Sequence, residues 1–415
     1  MEKVYTPVNQ LKVGMYIVEL DRPWLETSFL FQGFELKNEA QIQAVKDVCD
    51  YVYIDLTKKS TQKRALPNTH QALKPETPLI YTSAPLKLSN FEKEIPRSQS
   101  IYRDTGRHVS EFMERIARGE GIDTKLAKEA VAECVNSILH SPDAILWLSQ
   151  LKNRDEYTAQ HSLNVCVLSI VLGRHINLSE TQLNYVGLCG MMHDMGKMLV
   201  PLEVLNKPGK LEPEEMEVMQ SHAKLGYELL QSSYDMYPGA IEVAYTHHER
   251  LDGQGYPRKI NHSGLSLFTR IVTIVDIYDA ITSDRVYQKG RTHLEATNVM
   301  VNCSGTQLDG DLVVKFIESI GVYPPGCIVE MTNGAVAIVV EVNEKTKLRP
   351  KIMLILNEDK DPVPEQVIDL SKMVEDSIGN VYTIKGIIRA DQYGIDIGKY
   401  YQEGVLQKGF ARSKG

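Results

Sequence analysis

Several histidine and aspartate residues occupy positions where a helix interior would favour apolar side chains. His161 lies in the apolar run TAQHSLNVCVLSIVLGRHI, and His193 and Asp194 end the next helical stretch, in GMMHDMGK. A single buried histidine is usually a hydrogen-bonded core residue, and a single buried aspartate is usually a cap or an ion-pair partner. A whole set is better explained by divalent metal ions, which neutralise carboxylates and bind neutral imidazoles.

Three more residues extend this set further along the chain. His222 occurs among the apolar positions of its own helical segment, and Asp276 and Asp279 interrupt RIVTIVDIYDAITS. The one cation close to Asp276 in sequence is Arg270, so the carboxylate needs another partner if it is buried. We therefore expect these residues to share one metal-binding site.

The segment HHERLDGQGYP, residues 247–257, combines adjacent histidines with two glycines and a proline. Neighbouring helix residues point about 100° apart, so His247 and His248 can both reach one metal cluster only near a helix end. The glycines and Pro257 then favour a tight, stiff loop. Taken alone, this loop could equally be an ordinary turn with no chemistry.

The elements that would hold these residues are predicted to be helical. The region 146–322 has one apolar helical segment after another, and Ser179 with the sequence SETQ predicts a capping box for a helix over 180–192. EPEEMEVMQSHAKLGYELL is predicted to be one helix with Pro213 in its first turn. SLFTRIVTIVDIYDAITS is predicted to be a buried helix because it is too apolar for a surface.

The flanking regions have different patterns. Residues 1–60 alternate strand-like and helical segments, which predicts a small α/β domain, and 61–99 has the Pro-, Thr-, Ser- and Lys-rich composition of a linker. Connecting helices are expected over 100–145. The segment 323–415 is predicted to be β-rich, with a type I′ hairpin turn at Asn333-Gly334.

Length and composition set the general class. A chain of 415 residues exceeds what one hydrophobic core usually holds. The net charge of −8 argues against DNA as a partner, and without an apolar run of about 18 residues no membrane span is expected. Six scattered cysteines without CxxC spacing indicate neither a zinc ribbon nor a disulfide framework. We expect a cytoplasmic protein.

The ordered motifs resemble the HD-GYP phosphodiesterases, a branch of the HD superfamily of metal-dependent phosphohydrolases. The similarity covers about 146–322 and includes HDMGK, His222, HHERLDGQGYP and DIYDAITSDRVY in that order. Residues 1–60 also resemble a companion domain that often precedes HD-GYP domains. The resemblance implies a multidomain protein with an all-α HD-superfamily catalytic domain, a small α/β N-terminal domain and a small β-rich C-terminal segment.

The resemblance further implies a site for two divalent metal ions, with Asp194 bridging them. Iron or manganese is the family expectation, and the ligand types also suit nickel or zinc. A third ion is not expected, because Tyr157 stands where some members have a glutamate. The implied ligands are His161, His193, Asp194 and Asp276 for one ion, and Asp194, His222, His247 and His248 for the other.

Substrate contacts are implied for residues beside the metal ligands. Lys197, together with Asp194, is expected to be catalytic, and Lys197 and Arg285 would contact a substrate phosphate. Gln288 replaces a lysine that the family often has, with Lys289 next to it, so Gln288 either weakens a phosphate contact or tunes substrate preference. Asp279 would orient a ligand or the attacking water, or else form a structural hydrogen bond.

The implied reaction is hydrolysis of a cyclic dinucleotide, c-di-GMP or 3′3′-cGAMP, to a linear dinucleotide and then to mononucleotides. One alternative is a catalytically weak module that binds the cyclic dinucleotide and signals through protein partners, but all the ligand positions are intact. A second is a different HD hydrolase acting on mononucleotides, which the DGQGYP loop opposes. A third is a structural adaptor, which leaves the buried histidines unexplained. The sequence is compatible with a homodimer and does not decide the oligomeric state.

Overall fold

In a computed structural model the chain forms two compact units, Met1–Pro78 and Leu79–Gly415. The structure describes residues 3–21, 34–36, 38–55, 91–150, 157–284, 289–343, 345–373, 375, 379, 381–402, 406 and 409–410. Residues 61–90 of the predicted linker therefore lie outside the described part. Among the described helices, none has both the length and the apolar composition needed to cross a bilayer.

The first unit is a small antiparallel sheet with one helix, as the alternating sequence predicts. Its elements are β1 (Lys3–Pro7), β2 (Tyr16–Leu20), β3 (Phe34–Glu35), α1 (Glu39–Lys46) and β4 (Tyr51–Asp55). The strands are ordered β1-β4-β2-β3. Ile42 and Val45 on the buried face of α1 share a core with Ile17 and Val52 of the sheet.

The second unit is mainly helical. Its helices are α2 (Phe91–Ala117), α3 (Thr124–His140), α4 (Pro142–Ser149), α5 (Tyr157–His175), α6 (Glu180–Met192), α7 (Leu202–Leu205), α8 (Pro213–Gln220), α9 (His222–Ser232), α10 (Pro238–Thr246), α11 (Leu267–Thr282), α12 (His293–Cys303), α13 (Gly310–Ile320) and α14 (Ile397–Gln402). A 3-10 helix, Met195–Leu199, follows α6. The predicted capping box is confirmed, because the side chains and backbones of Ser179 and Gln182 bond reciprocally.

Two predicted helix boundaries are wrong. The helix expected across 212–230 is two helices, because Ser221 separates α8 from α9 and its hydroxyl donates to the Val218 carbonyl at 2.6 Å. The predicted linker extends too far, since residues 91–99 already belong to α2. Pro96 and the charged residues obscure a buried stripe there that contains Phe91 and Ile95.

The C-terminal segment forms a five-stranded antiparallel sheet ordered β8-β7-β6-β5-β9. The strands are β5 (Ile328–Met331), β6 (Val336–Glu341), β7 (Lys351–Leu356), β8 (Pro362–Asp369) and β9 (Ile384–Ile388). The predicted hairpin between β5 and β6 is confirmed, but its type I′ turn is wrong. That turn needs a positive φ at both central residues, and only Gly334, at 91°, has one. Strand β8 was not predicted.

This sheet packs against helices from the beginning of the same unit. Phe91 of α2 and Trp147 of α4 are fully buried in one core with Val336 of β6 and Met353 of β7. The Val342 amide donates to the Asp143 carboxylate at 2.9 Å, which joins the end of β6 to α4. The predicted architecture is confirmed: a large helical region, a small α/β N-terminal domain and a β-rich C-terminal segment.

Candidate metal centre

The predicted metal ligands converge from five different helices. One lies near the start of α5, two follow the end of α6, one begins α9, two follow the end of α10, and one lies within α11. Six of the seven are buried and His248 is partly buried. From the first of these helices to the last, the seven residues are His161, His193, Asp194, His222, His247, His248 and Asp276.

These residues form two adjacent groups. In the first group, the candidate ligand atoms of His161, His193 and Asp276 all lie within 4.8 Å of one another. In the second group, the same limit holds for the ligand atoms of Asp194, His222, His247 and His248. The second group has the same members as the second implied ligand set, and the first group has the members of the first set other than Asp194.

Asp194 lies between the two groups with one carboxylate oxygen towards each. Its Oδ2 is 3.5 Å from Nε2 of His161 and 3.3 Å from Nε2 of His193. Its Oδ1 is 3.4 Å from Nε2 of His222 and 3.6 Å from Nε2 of His247. A carboxylate in this position can give one oxygen to each of two ions.

Backbone carbonyls determine which ring nitrogen faces the centre. Nδ1 of His193 and Nδ1 of His222 each donate to a carbonyl at 2.7 Å, from Gly190 and Met219. Nδ1 of His247 donates to carbonyls of its own helix at 3.1 Å. Since a carbonyl only accepts, each neutral ring keeps its Nε2 lone pair towards the centre.

This arrangement of acceptor atoms fits bound cations. The Nε2 atoms of His222 and His247 are 3.4 Å apart although both carry lone pairs. Within the part of the chain that the structure describes, Nε2 of His193 and Oδ1 of Asp194 are buried without a hydrogen-bond partner. Buried acceptors that face one another are costly unless a proton or a cation lies among them. Imidazole and carboxylate ligands without thiolates suit iron, manganese, nickel or zinc.

Burial and neighbouring charges set the protonation of the ligands. Burial lowers the pKa of His222 to about 4 and also holds the pKa of His248 well below its usual value. Burial alone would lower the pKa of His161, but hydrogen bonds to Asp276 and Asp279 outweigh it and raise that pKa to about 9. Burial would raise the pKa of Asp194, yet nearby Lys197 and His193 hold it well below its usual range.

A close contact between two backbones brings the two groups together. Gly196, in the 3-10 helix after α6, packs against α9 at Gly226. A Cβ atom at Gly196 would lie 2.1 Å from the His222 carbonyl oxygen and 2.4 Å from the Gly226 amide nitrogen. Only glycine allows this approach, which brings His193 and Asp194 next to His222.

Similarity to known proteins identifies the family. The chain is 34% identical over 369 residues to a cyclic di-GMP phosphodiesterase of Pseudomonas aeruginosa, and the alignment covers 88% of each chain. The chain belongs to the HD-GYP phosphodiesterase family. Residues 143–312 match the HD domain, residues 4–127 match a domain of unknown function (DUF3391), and residues 328–388 match a KOW domain associated with the HD domain.

Two other relatives differ in the substrates for which they are named. A 3′3′-cGAMP-specific phosphodiesterase of Vibrio cholerae is 32% identical over 173 residues, which cover 41% of this chain and 37% of the relative. A cyclic di-GMP phosphodiesterase of Thermotoga maritima is 31% identical over 195 residues, which cover 47% of this chain and 52% of the relative. These two similarities therefore concern only part of each protein.

The HD-GYP loop is anchored by Glu249, a residue that the sequence analysis missed. Its buried carboxylate accepts from the backbone N–H of Arg258 at 2.6 Å and from that of Ile260 at 3.1 Å. The loop folds back so that the Tyr256 ring stacks on His248, with centroids 4.6 Å apart. Gly255 is required, since its Cβ would lie 2.5 Å from the His248 carbonyl oxygen. The loop therefore holds a predicted ligand.

Asp279 contacts a predicted ligand directly. Its Oδ2 accepts from Nδ1 of His161 at 2.8 Å and from the Ser283 hydroxyl at 3.3 Å. Its Oδ1 accepts from the Asn164 amide at 3.0 Å. This geometry orients the His161 ring and supports the ligand-orienting alternative for Asp279. Arg270, the cation nearest Asp276 in sequence, pairs with Asp309 at 2.7 Å.

The predicted substrate contacts are described only in part. Lys197 lies beside the metal groups, with its ammonium paired to the Asp194 carboxylate. Arg285 and Gln288 lie outside the described residues. Lys289 is described, and its ammonium pairs with Asp391 of the C-terminal segment.

Proposed function

We propose that this protein hydrolyses a cyclic dinucleotide, c-di-GMP or 3′3′-cGAMP, with two divalent metal ions, and that residues 146–322 are its catalytic domain. The observation that carries the proposal is the position of Asp194 between two ligand groups, with one oxygen towards each. When bound, such ions supply an activated water and offset the charge of the phosphodiester. Iron and manganese are the ions that we propose.

In this proposal the ligand residues hold the ions and the surrounding residues fix the ligands. Asp194 bridges the groups, and Asp279 keeps the His161 ring oriented through Nδ1. Tyr256 and Glu249 keep His248 in place through the HD-GYP loop. Residues that contact a metal ligand in this way fix its tautomer and its orientation, so we include them in the proposed centre.

Lys197 is the proposed contact to the scissile phosphate. Its side chain is one quarter exposed, so the ammonium can reach both the buried Asp194 and a ligand that arrives from solvent. A phosphate oxygen offers the ammonium a second acceptor. Arg285 is proposed to contact the same phosphate on sequence grounds alone.

The test is turnover of c-di-GMP and 3′3′-cGAMP side by side by the full chain loaded with manganese or with iron. Metal analysis of the same samples gives the number of ions per chain. We expect two ions and turnover of at least one substrate, with linear dinucleotide appearing before mononucleotides. Binding without turnover would support a signalling module instead, and turnover of mononucleotides alone would support another HD hydrolase. The absence of bound metal would refute the proposed centre.

Gln288 is proposed to take part in substrate choice. If the missing lysine only weakens a phosphate contact, Gln288→Lys should raise hydrolysis of both cyclic dinucleotides by about tenfold, the lower end of what one charge-assisted hydrogen bond contributes. If Gln288 contacts a base or a ribose, the substitution should instead change the ratio of the two rates. We expect the change in ratio, measured as kcat/KM for each substrate.

The neighbouring cation Lys289 provides a matched control for this experiment. Because Lys289 pairs with Asp391, we expect Lys289→Gln to leave both rates within about twofold of wild type, as for a largely exposed ion pair. A large loss with Lys289→Gln would mean that Lys289 supplies the phosphate contact. Parallel increases for both substrates in Gln288→Lys would contradict a role in substrate choice.

A further inference from the structure

A line of hydrogen bonds leads from α2 to the first metal group. The Tyr102 hydroxyl donates to Oδ1 of Asn164 at 2.7 Å, and Nδ2 of Asn164 donates to Oδ1 of Asp279 at 3.0 Å. Oδ2 of Asp279 accepts from Nδ1 of His161 at 2.8 Å. Asn164, Asp279 and His161 are all buried. Each side chain in this line therefore fixes the orientation of the next.

Tyr102 lies outside the residues that match the HD domain, which begin at 143. Its ring packs against the core that α2 and α4 share with the C-terminal sheet. Burial raises the pKa of Tyr102, so the phenol remains protonated and donates to Asn164 at neutral pH. The hydroxyl is thus held in place by a part of the fold that is separate from the metal ligands.

The Tyr102 hydroxyl and the Asp279 carboxylate together fix the orientation of the Asn164 amide. With Tyr102 as donor, the carbonyl oxygen faces Tyr102 and the NH2 group faces the Asp279 carboxylate. Without that hydroxyl, the buried Oδ1 of Asn164 loses its donor, and this cost favours a displacement of the side chain that weakens its hydrogen bond to Asp279. The Asp279 carboxylate would then hold the His161 ring less firmly.

We propose that Tyr102 is a positioning residue for the metal centre, acting through Asn164 and Asp279 on the ligand His161. This inference rests on the proposed two-ion site. Tyr102 does not touch an ion or the substrate in this proposal. It favours the orientation of the His161 ring in which Nδ1 faces Asp279 and Nε2 faces Asp276 and Asp194. Removal of the Tyr102 hydroxyl should lower the affinity for the ion held by His161, His193 and Asp276 more than the affinity for the other ion.

The test measures metal affinity in the full chain by competition of manganese-loaded protein against a chelator. We expect Tyr102→Phe to lower the affinity for one of the two bound manganese ions by about tenfold. This is the lower end of the effects known for residues that hydrogen-bond to metal ligands. Asn164→Ala should weaken the same ion. Because both act along one line, Tyr102→Phe should add little in the Asn164→Ala background.

Tyr278→Phe is the matched control, since it removes a buried hydroxyl that bonds to Nδ1 of His293, a residue in neither metal group. We expect it to lower thermal stability without changing the affinity for either ion. Any of three results would overturn the inference: an equal loss of affinity for both ions, additive effects of the two substitutions, or an unchanged affinity in Tyr102→Phe. A wild-type chain that binds fewer than two ions would instead refute the proposed function.

Discussion

At the scale of single residues, Asp194 directs one carboxylate oxygen towards each metal group. Its carboxylate has acceptor nitrogens from histidines on both sides, and Lys197 contributes a positive charge. A buried carboxylate with this environment stays ionised, because the positive charge of nearby Lys197 holds its pKa well below the usual range in spite of burial. Both groups therefore depend on the same anion.

We expect Asp194→Ala to abolish hydrolysis and to remove both ions. The loss should amount to several orders of magnitude, since the nucleophile of the proposed reaction depends on bound metal. Metal content and turnover of the same preparation provide the measurement. Retention of two ions, or of a substantial fraction of wild-type turnover, would show that Asp194 is not the bridge.

The resemblance predicted the seven proposed metal ligands, and the structure brings all seven side chains into two adjacent groups. That they bind metal stays a prediction. The buried histidines and aspartates contradict the apolar pattern of their helices, and this contradiction is visible in the sequence. Glu249 was missed because its partners are the backbone amides of Arg258 and Ile260, nine and eleven residues further along. Those contacts depend on the loop conformation, and the letters HHERLDG alone do not specify it.

At the scale of elements, the HD-GYP loop depends on one buried carboxylate. Glu249→Gln keeps the size of the side chain but replaces one acceptor oxygen with an amide that faces a backbone N–H. We expect a loss of about 2 kcal/mol in the free energy of unfolding, as for a hydrogen bond to a charged group. We also expect weaker binding of the ion held by His248, measured by chelator competition.

Asp252→Asn is the control for this loop. Asp252 also lies in the loop, but it is more exposed and pairs with Arg250 at 2.6 Å rather than supporting His248. The control should retain both the stability and the metal affinity of the wild type to within about 0.5 kcal/mol. If both variants weaken metal binding equally, Glu249 has no particular role in positioning His248.

The contact between the 3-10 helix and α9 gives a second prediction at this scale. Gly196→Ala would force the His222 carbonyl and the Gly226 backbone to move, because the added Cβ has no space. We expect a loss of several kcal/mol in stability, typical of overpacking against backbone, together with loss of bound metal. Thermal unfolding and metal analysis provide the measurements.

Gly106→Ala on α2 is the matched control for Gly196. Its Cβ would meet Leu163 at 3.6 Å, which is an ordinary contact, and alanine is a better helix former than glycine. We expect this variant to be as stable as the wild type or slightly more stable. A Gly196→Ala protein that keeps both ions would show that the two backbones can separate without disturbing the centre.

Helix boundaries were harder to predict than the helices themselves. The break at Ser221 places His222 in the first turn of α9, although the apolar pattern continues across it. The start of α2 was missed because Pro96 follows several charged residues. A local side-chain hydrogen bond accompanies the break at Ser221, and packing against distant strands covers Phe91 and Ile95 at the start of α2, so periodicity gives the wrong boundary in both places.

At the scale of the whole molecule, the C-terminal sheet completes the core of the second unit. Trp147 and Phe91 are fully buried against residues of β6 and β7, more than 180 positions further along the chain. The sequence predicted the β-rich segment but not this packing, because no local pattern identifies the partner of a distant apolar face. The predicted domain limits at 322 and 323 therefore separate elements that share a core.

We expect a chain that ends at residue 322 to leave Trp147 exposed to water. The sequence contains two tryptophans, so Trp24→Phe makes the emission report Trp147 alone. The shortened chain should show a red-shifted emission maximum, a broad thermal transition and a tendency to aggregate. The full-length Trp24→Phe chain serves as the control. An unchanged emission maximum in the shortened chain would mean that the sheet does not bury Trp147.

The shared core also has a consequence for synthesis on the ribosome. Helices α2 and α4 leave the exit tunnel long before the strands that cover Phe91 and Trp147 have been translated. At a translation rate of about 5–20 residues per second, these apolar faces stay uncovered for roughly 10–40 s. Translation must therefore reach the last strands before the second unit can close, and a nascent chain that stalls earlier is a substrate for chaperones rather than a partly working enzyme.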